Sequence, residues 1–569
     1  MNKTLNLLCV QPTLTLAKTI EAIGRAAKAG APPGIAVVTD QNRKVLGIVT
    51  DGNVRRLMLK KIPLDTPVRK VMTREPIAVA KGLSPKEILA SIASQTKSKG
   101  RMQTGRIDRI LVLDGQGRLD DILTHYDLWR NQDVAGRSVA VIGLGYVGLT
   151  LAAVLADSGF EVTGVDINAA IVRRLAKLQP TFYERGIWAI LRHARGKRFR
   201  VTTTAQFSGA DVYILCIGTP LDAKGNPKLS DLESAVRFIA GKLKRGDLVV
   251  VRSTVPLGTC RNVIKPLLES TTGLEAGNEF YLVMAPERTA EGKAVEELRT
   301  LPQIIGGVNE ASTELAAKLF NTITKTIVQV QSLEAAEMVK LINNAYRDLT
   351  FSFANEAALL AKRLGLDAVG LIRAANEGYP RGHVPMPSPG VGGVCLKKDP
   401  HIYVQAGKTV GLPSRLVSTG RSINESIPPL IADEIIGFLN KNDKPPRKSK
   451  IFLLGFAFKG NPPTSDTRDS CTLDVLNRLK AAGANVVGYD PIVSGQQIAR
   501  WGAAPATPEQ GFRRADAAVI MNNNPAYQDL DIYRLLQSMR RPALFYDGWY
   551  LFLKEEIERV PGITYAGWR

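Results

Sequence analysis

Residues 138–168, SVAVIGLGYVGLTLAAVLADSGFEVTGVDIN, form the stretch of sequence that decides the fold. The β-branched run at 138–142 predicts a buried strand, and the apolar run that starts near Tyr146 predicts a helix packed against it. Residues 138–156 lack charge over 19 positions, which is near the length of a membrane span. Three glycines interrupt this run and charged residues follow it closely, so we predict a buried strand, turn and helix instead.

The turn in this stretch has the GxGxxG spacing of a dinucleotide-binding loop. In that pattern the first glycine permits a tight turn, the second admits a pyrophosphate close to the backbone, and the third lets the helix pack on the strand. The predicted cofactor loop is Gly143, Leu144, Gly145, Tyr146, Val147 and Gly148. Asp166 ends the next strand 23 residues after the first glycine, where its carboxylate would bind both ribose hydroxyls and repel a 2′-phosphate. We therefore predict NAD, rather than NADP, as the cofactor.

Three further apolar runs, within ADVYILCIGTP, DLVVVRSTVP and EFYLVMAPERTAEG, end in polar residues. In an open α/β sheet, ligands bind at the carboxyl ends of the strands, so the residues immediately after such runs are site candidates. These candidates are Thr219, Pro220, Ser253, Thr254, Glu287 and Glu291.

Residues 388–403, SPGVGGVCLKKDPHIY, place Cys395 on a predicted glycine-rich loop with Lys398 and Asp399 behind it. Neighbouring lysines and a helix start would lower the pKa of the thiol and supply a thiolate nucleophile. Upstream, a strong helical period puts Lys340 and Asn344 four positions apart and hence on one face. A cation and an amide on one face can hold a developing oxyanion together.

With these motifs in place, residues 137–569 resemble the nucleotide-sugar 6-dehydrogenase family, which includes enzymes acting on UDP-glucose, GDP-mannose and UDP-N-acetylhexosamines. GLGYVGL, STVP, PER–xxEG, KLxxN, GGxCLxKD and GFAFKG–SDTRDS occur in the family order. The resemblance implies an α/β protein with two Rossmann-like doubly wound domains joined by a helical central domain. It also implies a four-electron oxidation at the sixth carbon of the sugar, through a thiohemiacetal and then a thioester on Cys395.

The resemblance further implies roles for individual residues. Lys340 and Asn344 would stabilise the oxyanions, and Asp399 would activate or position the hydrolytic water. Thr254 and Glu287 would support hydrolysis of the thioester. The remaining implied contacts are Lys398 and Arg468 to the cofactor, and Phe458, Lys459, Gly392 and Gly393 to the nucleotide sugar. Simpler readings stay open: Asp399 as a helix cap, Lys340 as a solvated charge and Glu287 as a structural ion-pair partner.

The sugar is not settled by the motifs. GVGG and the proline after Asp399 resemble the N-acetylhexosamine branch, whereas CLKKD resembles the UDP-glucose side. Val394 stands where the first branch often has histidine. We expect UDP-ManNAc or UDP-GlcNAc as substrate in surface polysaccharide biosynthesis, with UDP-glucose as the alternative.

An internal repeat organises the chain before this region. IAVVTDQNRKVLGIVTDGNVRR starts at Ile35, and RILVLDGQGRLDDILTHYDLWR starts 74 positions later at Arg109. Each copy predicts a strand, a polar turn, a second strand and a helix start. The repeat therefore predicts two similar halves that pack with pseudo-twofold symmetry.

This repeat resembles a tandem pair of cystathionine-β-synthase (CBS) domains, or Bateman module. The resemblance implies binding of ATP, ADP or AMP, with Thr124 and Asp127 holding the ribose. In the first copy Thr50 is followed by Asn53, so only one site is expected to be intact. Two alternatives remain: the module only packs subunits together, or Thr124 and Asp127 form a helix cap.

Composition bounds the remaining expectations. The chain has 569 residues, a length that predicts about three to five domains, and its net charge is +22. We expect domains at 1–132 (CBS pair), 133–330 (NAD binding), 331–430 (helical, with the cysteine loop and the dimer contact) and 431–569 (nucleotide-sugar binding). Five scattered cysteines and the lack of a signal peptide at the start favour a reducing, cytoplasmic location.

The expected partners follow from the same features. Basic residues are dispersed and no zinc-finger or RNA-reader motif occurs, so we expect no nucleic acid, membrane or metal partner. Nucleic-acid association, motivated by charge alone, stays as a weak alternative. The family resemblance implies a homodimer or higher homo-oligomer. An adenine-nucleotide sensor with an inactive dehydrogenase half is the rival interpretation from another functional class.

Overall fold

A computed structural model of the protein describes residues 5–29, 31, 34–83, 87–88, 91, 94–95, 110–123, 136–179, 181–194, 196, 198–222 and 225–568. The chain separates into two compact units, Met1–Gly136 and Arg137–Arg569. The three parts expected after the repeat thus form one continuous unit. In the part of the chain that the structure describes, no helix is long and apolar enough to cross a membrane.

The first unit contains two three-stranded sheets. Their strands are β1 (Cys9–Val10), β2 (Ile35–Thr39), β3 (Val45–Thr50), β4 (Ala78–Ala80), β5 (Ile110–Leu113) and β6 (Leu119–Leu123), and the first two helices are α1 (Leu16–Lys28) and α2 (Asp51–Leu59). In each sheet an antiparallel hairpin, β2–β3 or β5–β6, is joined by a parallel strand. The sequence repeat therefore has a structural counterpart in two similar sheets.

The two hairpins share their local geometry residue by residue. The register shifts after Val38 in the first hairpin and after Val112 in the second, which are equivalent positions of the repeat. The Oδ1 atom of Asp40 accepts the backbone amides of residues 42 and 44 at 2.9 and 2.8 Å. Asp114 accepts the amides of residues 116 and 118 in the same way, both at 2.9 Å. One aspartate in each copy thus fixes the turn by the same side-chain-to-backbone bonds.

The halves meet at equivalent residues. Lys44 forms an antiparallel bridge with Arg118, its counterpart in the repeat, and the Val45 amide donates to the Gly117 carbonyl at 3.0 Å. A residue that meets its own counterpart lies on a local twofold axis. The predicted pseudo-twofold packing is confirmed for these hairpins, whose core mixes residues from both copies, such as Val37 and Leu111.

The helix start of the first copy is closed by a capping box. Thr50 accepts the Asn53 amide at 3.3 Å, and Asn53 accepts the Thr50 amide at 3.2 Å. This reciprocal pair satisfies backbone donors at the start of α2. Thr124 and Asp127, the predicted nucleotide contacts of the second copy, lie outside the described residues.

The second unit begins with an eight-stranded sheet. Its strands are β7 (Ser138–Ile142), β8 (Glu161–Asp166), β9 (Phe199–Thr203), β10 (Val212–Leu215), β11 (Leu248–Val251), β12 (Tyr281–Met284), β13 (Gln303–Gly307) and β14 (Ile327–Gln329). The order β9-β8-β7-β10-β11-β12 is parallel throughout and is that of a doubly wound dinucleotide-binding sheet. The helices around it are α3 (Tyr146–Asp157), α4 (Ala169–Ala176), α5 (Ile187–Ala194), α6 (Ser230–Ala240), α7 (Lys265–Thr272), α8 (Ala294–Thr300) and α9 (Glu310–Asn321).

A helical middle connects this sheet to a second one. Its helices are α10 (Leu333–Arg363), α11 (Ala368–Asn376), α12 (Val394–Thr409) and α13 (Arg415–Lys441). The following strands are β15 (Lys450–Leu454), β16 (Asn485–Tyr489), β17 (Ala504–Pro505), β18 (Ala517–Ile520), β19 (Ala543–Asp547) and β20 (Ile563–Gly567). They form a six-stranded parallel sheet in the order β17-β16-β15-β18-β19-β20, which repeats the doubly wound order of the first. The last helices are α14 (Cys471–Ala481), α15 (Gly495–Arg500), α16 (Pro508–Phe512), α17 (Ile532–Gln537) and α18 (Lys554–Ile557).

Helix α13 crosses the boundary that we expected between residues 430 and 431. Its apolar positions Ile427, Ile431, Ile435 and Leu439 are buried in the core that includes β15 and α14. Because this face continues without interruption, the helix runs to Lys441 and the chain turns only just before β15. The helical middle and the C-terminal sheet therefore share one core.

Candidate active site

The glycine loop after β7 has the geometry that a dinucleotide needs. Gly143 has a φ of +92°, and a Cβ atom there would lie 2.6 Å from the Cys216 carbonyl oxygen. A Cβ atom on Gly148 would lie 1.8 Å from the Gly143 carbonyl oxygen. Gly145 precedes α3 and faces open space. Packing thus requires the first and third glycines, whereas the second leaves room for a pyrophosphate at the helix N-terminus.

Asp166 lies at the carboxyl end of β8, next to this loop. Its Oδ2 atom accepts the Leu144 amide at 2.8 Å, and its Oδ1 atom accepts the Asn168 amide at 2.8 Å. These bonds hold the carboxylate beside the glycine loop, on the side of the sheet where a ribose binds in this fold. The residues present therefore fit NAD.

Tyr146 and Val147 begin α3, and Tyr146 links the loop to the segment around Glu291. Its hydroxyl donates to the Glu184 carboxylate and accepts the Gly292 amide at 2.7 Å. Burial, together with Glu184, raises the pKa of Tyr146 far above its usual range. The tyrosine is therefore neutral, and its hydrogen bonds hold the cofactor loop against the segment around Gly292.

The ends of β10 and β11 are joined through side chains. The Thr219 hydroxyl donates to the Thr254 carbonyl at 2.5 Å, and the Ser253 hydroxyl accepts the Ile217 amide at 2.8 Å. Pro220 follows at an exposed position, where its carbonyl accepts the Lys228 amide at 2.8 Å. The predicted candidates after these two strands thus lie together at one edge of the sheet.

Helix α10 presents a row of buried polar side chains along one face. Glu337, Lys340, Asn344, Asp348, Ser352 and Asn355 are each at most 7 % exposed. Their spacing of three or four residues keeps them on the same side of the helix. We call this row the α10 polar face. Because Lys340 is buried there, the alternative that it is a solvated charge is excluded.

The α10 polar face starts by fixing the loop that follows Thr254. Glu337 accepts the Cys260 amide at 2.8 Å and the Gly258 amide at 2.5 Å. A carboxylate on these backbone amides anchors the loop to α10 at a point one turn before Lys340. The loop after β11 is therefore fixed to the beginning of α10.

Cys395 is the second residue of α12, which begins at Val394 directly after the glycine-rich segment. The prediction that Cys395 lies on the loop is therefore wrong, because the helix begins one residue before it. Cys395 is exposed, whereas Cys260 and Cys471 are buried and Cys9 and Cys216 are half-buried. Among the five cysteines, Cys395 is thus the only exposed residue, although the protein around it desolvates its thiol.

The predicted lowering of the thiol pKa is also wrong. Desolvation by the surrounding protein raises the pKa of Cys395 above its usual value, and Asp399 and Glu291 act in the same direction. Lys340 and Lys398 oppose this rise. The lysines therefore offset part of the rise in the thiol pKa without reversing it.

Asp399 is fully buried inside α12 and links two other segments. Its Oδ2 atom accepts the Asn344 side-chain amide at 2.6 Å, and its Oδ1 atom lies 3.0 Å from Lys398 Nζ. Lys398 also donates to the Thr219 hydroxyl at 3.1 Å. Because Gly393 occupies the N-cap position of α12, Asp399 is not the helix cap that the alternative reading proposed.

Glu287 is a buried ion-pair partner of Arg252, as the simpler reading stated. Its Oε2 atom accepts Arg252 Nε at 3.0 Å, and its Oε1 atom accepts the Thr289 amide at 2.6 Å. Burial alone would raise the pKa of Glu287, but Arg252, Thr289 and Lys340 outweigh it and hold the pKa below its usual value. The carboxylate is therefore ionised and places a fixed negative charge near Lys340.

The C-terminal sheet closes the other side of the site. Phe458 lies against the cysteine segment so closely that a Cβ atom on Gly393 would be 2.7 Å from its ring. Lys459 Nζ donates to the Glu291 carbonyl at 2.7 Å. A Cβ atom on Gly392 would lie 2.9 Å from the Asp469 carbonyl oxygen. The glycines therefore permit contact between the cysteine segment and the segments that follow β15.

Arg468 and Glu291 meet at this closure. Arg468 Nη2 lies 2.6 Å from Asp466 Oδ2 and 3.9 Å from Glu291 Oε1, and the arginine is 60 % exposed at its side chain. Burial and the nearby Asp466 raise the pKa of Glu291 well above its usual value. Glu291 thus differs from Glu287: its proton affinity is high, whereas that of Glu287 is low.

Sequence reasoning missed several residues that build the site. Arg252, Glu337 and Arg421 are charged but buried, and Glu184 holds Tyr146. Arg252 did carry a signal, because it follows the apolar run of β11 where a buried charge requires a partner. The others lie on helix or loop segments whose periodicity does not show which side chains meet across the fold.

We predict that replacing Lys340 by methionine will raise the pKa of the Cys395 thiol further, because its cation is the largest influence that lowers it. Alkylation of Cys395 by iodoacetamide, followed by mass spectrometry across a pH series, should show a midpoint at higher pH than in the wild type. Lys325→Met is the matched control, because this lysine is exposed and lies just before β14. An unchanged midpoint in Lys340→Met would contradict this electrostatic role.

Known proteins share this architecture. The NAD-binding domain of the UDP-glucose/GDP-mannose dehydrogenase family matches residues 137–324, its central domain matches 334–426, and its UDP-binding domain matches 452–554. A UDP-N-acetyl-D-mannosamine dehydrogenase of Pyrococcus horikoshii is 35 % identical over 410 residues, which cover 71 % of this chain and 94 % of that protein. An NDP-N-acetyl-D-galactosaminuronic acid dehydrogenase of Ralstonia nicotianae is 32 % identical, with 71 % and 94 % covered.

Solved structures agree with these similarities. A UDP-D-ManNAc dehydrogenase from Pyrococcus horikoshii superposes with a TM-score of 0.68 at 34 % identity, covering 76 % of this chain and 98 % of that one. A UDP-glucose dehydrogenase from Pyrobaculum islandicum gives a TM-score of 0.66 at 28 % identity, covering 77 % and 99 %. With its glycine loop, cysteine segment and two doubly wound sheets, the chain belongs to the UDP-glucose/GDP-mannose dehydrogenase family and is an NAD-dependent nucleotide-sugar dehydrogenase.

Proposed function

We propose that this enzyme oxidises the sixth carbon of a UDP-N-acetylhexosamine to a carboxylate, in two steps, through a covalent intermediate on Cys395. The observation that carries the proposal is the surroundings of this cysteine. It is accessible at the start of α12, Lys340 acts on its thiol, and the buried pair of Asn344 and Asp399 lies next to it. An inactive sensor would have no reason to keep a buried lysine and a buried carboxylate around one exposed thiol.

Covalent capture divides the oxidation into two parts. When bound, NAD accepts the hydride in each part. Cys395 attacks the carbonyl carbon of the intermediate aldehyde, a C–S bond forms, and the thiol proton passes to the carbonyl oxygen. Lys340 and Asn344 stabilise the negative charge that develops on that oxygen during the attack. The aldehyde stays attached to the protein as a thiohemiacetal until its second oxidation.

Hydrolysis completes the cycle. The second oxidation leaves a thioester, and water replaces sulfur at the carbonyl carbon to give the carboxylic acid and the free thiol. Asp399 positions or activates this water together with Asn344, and Thr254 contributes from the end of β11. Glu287, which is held ionised by Arg252, supplies a fixed charge, whereas the raised pKa of Glu291 suits a group that accepts a proton.

The binding residues follow from the two sheets. The glycine loop, Asp166, Thr219, Pro220, Ser253, Glu291, Lys398 and Arg468 surround the cofactor, and Phe458, Lys459, Gly392 and Gly393 contact the nucleotide sugar. Lys459 is a partly buried cation, and burial lowers its pKa. A cation of this kind is stabilised when a diphosphate binds beside it.

The choice of sugar rests on the relatives. Six of the archaeal relatives are named UDP-N-acetyl-D-mannosamine dehydrogenases, and two Ralstonia proteins are named NDP-N-acetyl-D-galactosaminuronic acid dehydrogenases. The GVGG segment points the same way. We therefore favour UDP-ManNAc as the substrate, followed by UDP-GlcNAc. The product would be the corresponding uronic acid, made in the cytoplasm for the biosynthesis of surface polysaccharide. UDP-glucose is the alternative, favoured by the CLKKD motif and the structural similarity to the Pyrobaculum enzyme.

We predict that the purified protein will form two NADH per sugar consumed with one of UDP-ManNAc, UDP-GlcNAc, UDP-glucose or GDP-mannose. NADH absorbance and mass spectrometry of the product give the stoichiometry and identify the acid. Cys395→Ala should lose the acid product, because no group remains to hold the aldehyde for the second oxidation.

Cys9→Ala is the matched control, since this cysteine lies in the first unit. Acid formation at the wild-type rate by Cys395→Ala would refute the covalent mechanism. Measurable NAD binding without turnover of any of the four sugars would favour the inactive-sensor interpretation.

We further propose that the first unit is a CBS pair that binds an adenine nucleotide and adjusts the enzyme. The repeated hairpins, their shared aspartate turns and their pairing across a local twofold axis support it. Sensing of this kind requires two states of the enzyme that differ in nucleotide affinity. The alternative is a module that only assembles subunits.

For this module we predict that ATP, ADP or AMP binds the full-length protein and that Asp127→Ala abolishes the binding measured by calorimetry. Asn53→Ala, at the equivalent position of the first copy, should retain it. Turnover measured with and without the nucleotide shows whether binding changes the rate. If none of the three nucleotides binds the wild type, the sensing role is wrong and a role in subunit assembly is favoured instead.

We also propose that the enzyme is a homodimer formed through α10. Large apolar side chains are exposed along one face of this helix, opposite its buried polar face: Ile342, Tyr346, Phe353, Leu360 and Leu364. Positions separated by four and seven residues lie on one stripe of a helix. A stripe of this length on a soluble protein needs a partner, and a second copy of α10 presents the same surface.

We expect the wild type to run as a dimer or larger assembly in analytical ultracentrifugation. Replacing Phe353 and Leu360 together by glutamate should shift it towards the monomer, because charged groups at the centre of an apolar interface lose solvation without gaining partners. Leu553→Glu, at an exposed position in the C-terminal domain, is the control. A monomeric wild type would overturn this assembly.

A further inference from the structure

Arg421, on α13, is a charged residue buried beneath the cysteine segment, with only 2 % of its surface exposed. Its Nη1 atom donates to the Leu396 carbonyl at 3.0 Å, and its Nη2 atom donates to the Val391 carbonyl at 3.4 Å. Val391 and Leu396 enclose the short segment that carries Cys395. One guanidinium therefore contacts the backbone on both sides of the nucleophile.

The part of this segment that precedes α12 has little rigidity of its own. Gly392 and Gly393 lack side chains, and Gly393 has a φ of +88° that other residues rarely adopt. Glycine backbones have many accessible conformations, so external contacts must select one. The planar fork of an arginine fixes two acceptors at a set distance, which a lysine or a neutral amide does not do.

Arg421 also connects the segment to α10. Its Nη1 atom lies 2.7 Å from Asp348 Oδ1, and this carboxylate receives the Asn424 side-chain amide at 2.9 Å. Asp348 lies one turn beyond Asn344 and two turns beyond Lys340 on the α10 polar face. The same guanidinium thus touches the helix that carries the oxyanion-stabilising residues and the segment that carries the thiol.

A second contact supports the start of the segment. The Asn355 side chain, further along the α10 polar face, accepts the Ser388 amide at 2.9 Å and donates to Asn424 at 3.0 Å. The Ser388 hydroxyl donates to the Gly390 carbonyl at 3.0 Å. These bonds lead the chain into the glycines, and the Gly393 amide donates to the Asp469 carbonyl at 3.1 Å on the side of the C-terminal sheet. The Val391 and Leu396 carbonyls are bound by Arg421.

We propose that Arg421 is a positioning residue for the oxidation: it holds Cys395 at a fixed place relative to Lys340 by binding the Val391 and Leu396 carbonyls and Asp348 at once. This inference rests on the proposed role of Cys395 as nucleophile. Arg421 lies on another helix and would act through the position of Cys395, not by binding the sugar or the cofactor. Asp348 acts with it, as the anion that orients the guanidinium.

The test uses the full-length protein with Arg421→Gln, which removes the charge and the fork. Misplacement of a reacting group should lower kcat for acid formation about 10- to 100-fold. The KM for the nucleotide sugar should change less than about threefold, because the C-terminal sheet that binds it is not altered. The pH midpoint for iodoacetamide alkylation of Cys395 should rise, since the thiol is no longer held beside Lys340.

Two further variants separate positioning from general stability. Arg478→Gln removes the exposed ion pair between α14 and Asp433 of α13, which has an Arg–Asp distance of 2.6 Å, and should leave kcat and the alkylation midpoint unchanged. Arg421→Lys keeps the charge but not the fork and should restore kcat only in part. If Arg421→Gln does not fold, Asp348→Asn carries the test with the same readouts.

A loss of kcat that equals the loss of folded protein, with the wild-type alkylation midpoint, would overturn the proposal and leave Arg421 a structural residue. An unchanged kcat in the folded Arg421→Gln or Asp348→Asn protein would overturn it as well. The alkylation profile needs no turnover. Failure of the proposed oxidation, seen as an inactive wild type, is therefore distinguishable from failure of the positioning role.

Discussion

The buried polar face of α10 is the constraint on which the active site depends. Polar side chains cost free energy when buried without partners, and three residues of this face find partners in neighbouring segments. Glu337 binds the loop after β11, Asn344 binds Asp399 of α12, and Asp348 binds Arg421 of α13. One helix thereby contacts the NAD-binding sheet region, the helix of the cysteine segment and the helix that leads to the second sheet.

Electrostatics divides the site into groups with different tasks. Two carboxylates only four positions apart in sequence, Glu287 and Glu291, have pKa values displaced in opposite directions. Arg252 stabilises the ionised form of Glu287, whereas burial and the neighbouring Asp466 disfavour the ionised form of Glu291. Pairs of titratable groups with separated pKa values are how proteins assign a fixed charge and a proton acceptor within one small volume. Desolvation raises the pKa of the Cys395 thiol, and the charges of Lys340 and Lys398 oppose this rise.

The sequence predicted the parts of the fold that short-range rules govern. The spacing of Gly143, Gly145 and Gly148 specified the turn and the helix, and the 74-residue repeat specified two matching hairpins. The motifs also singled out residues that the structure brings into contact, such as Asn344 and Asp399. They did not show that α12 begins one residue before Cys395, nor that desolvation outweighs the lysines, because both depend on how distant segments pack. Buried partners such as Arg421 and Glu184 carry no local pattern, since their acceptors lie far away in the chain.

The contact between Phe458 and Gly393 bears on how the two sheets divide the proposed binding roles. The ring occupies the space that any side chain at position 393 would need, so the C-terminal sheet rests directly on the cysteine segment. The glycine loop that receives the cofactor belongs to the opposite sheet. Under the proposed chemistry, the cysteine that would hold the sugar therefore packs against the C-terminal sheet, whereas the cofactor would bind at the loop of the opposite sheet. Any side chain at position 393 would displace the Phe458 ring and with it the contact between the cysteine segment and the C-terminal sheet.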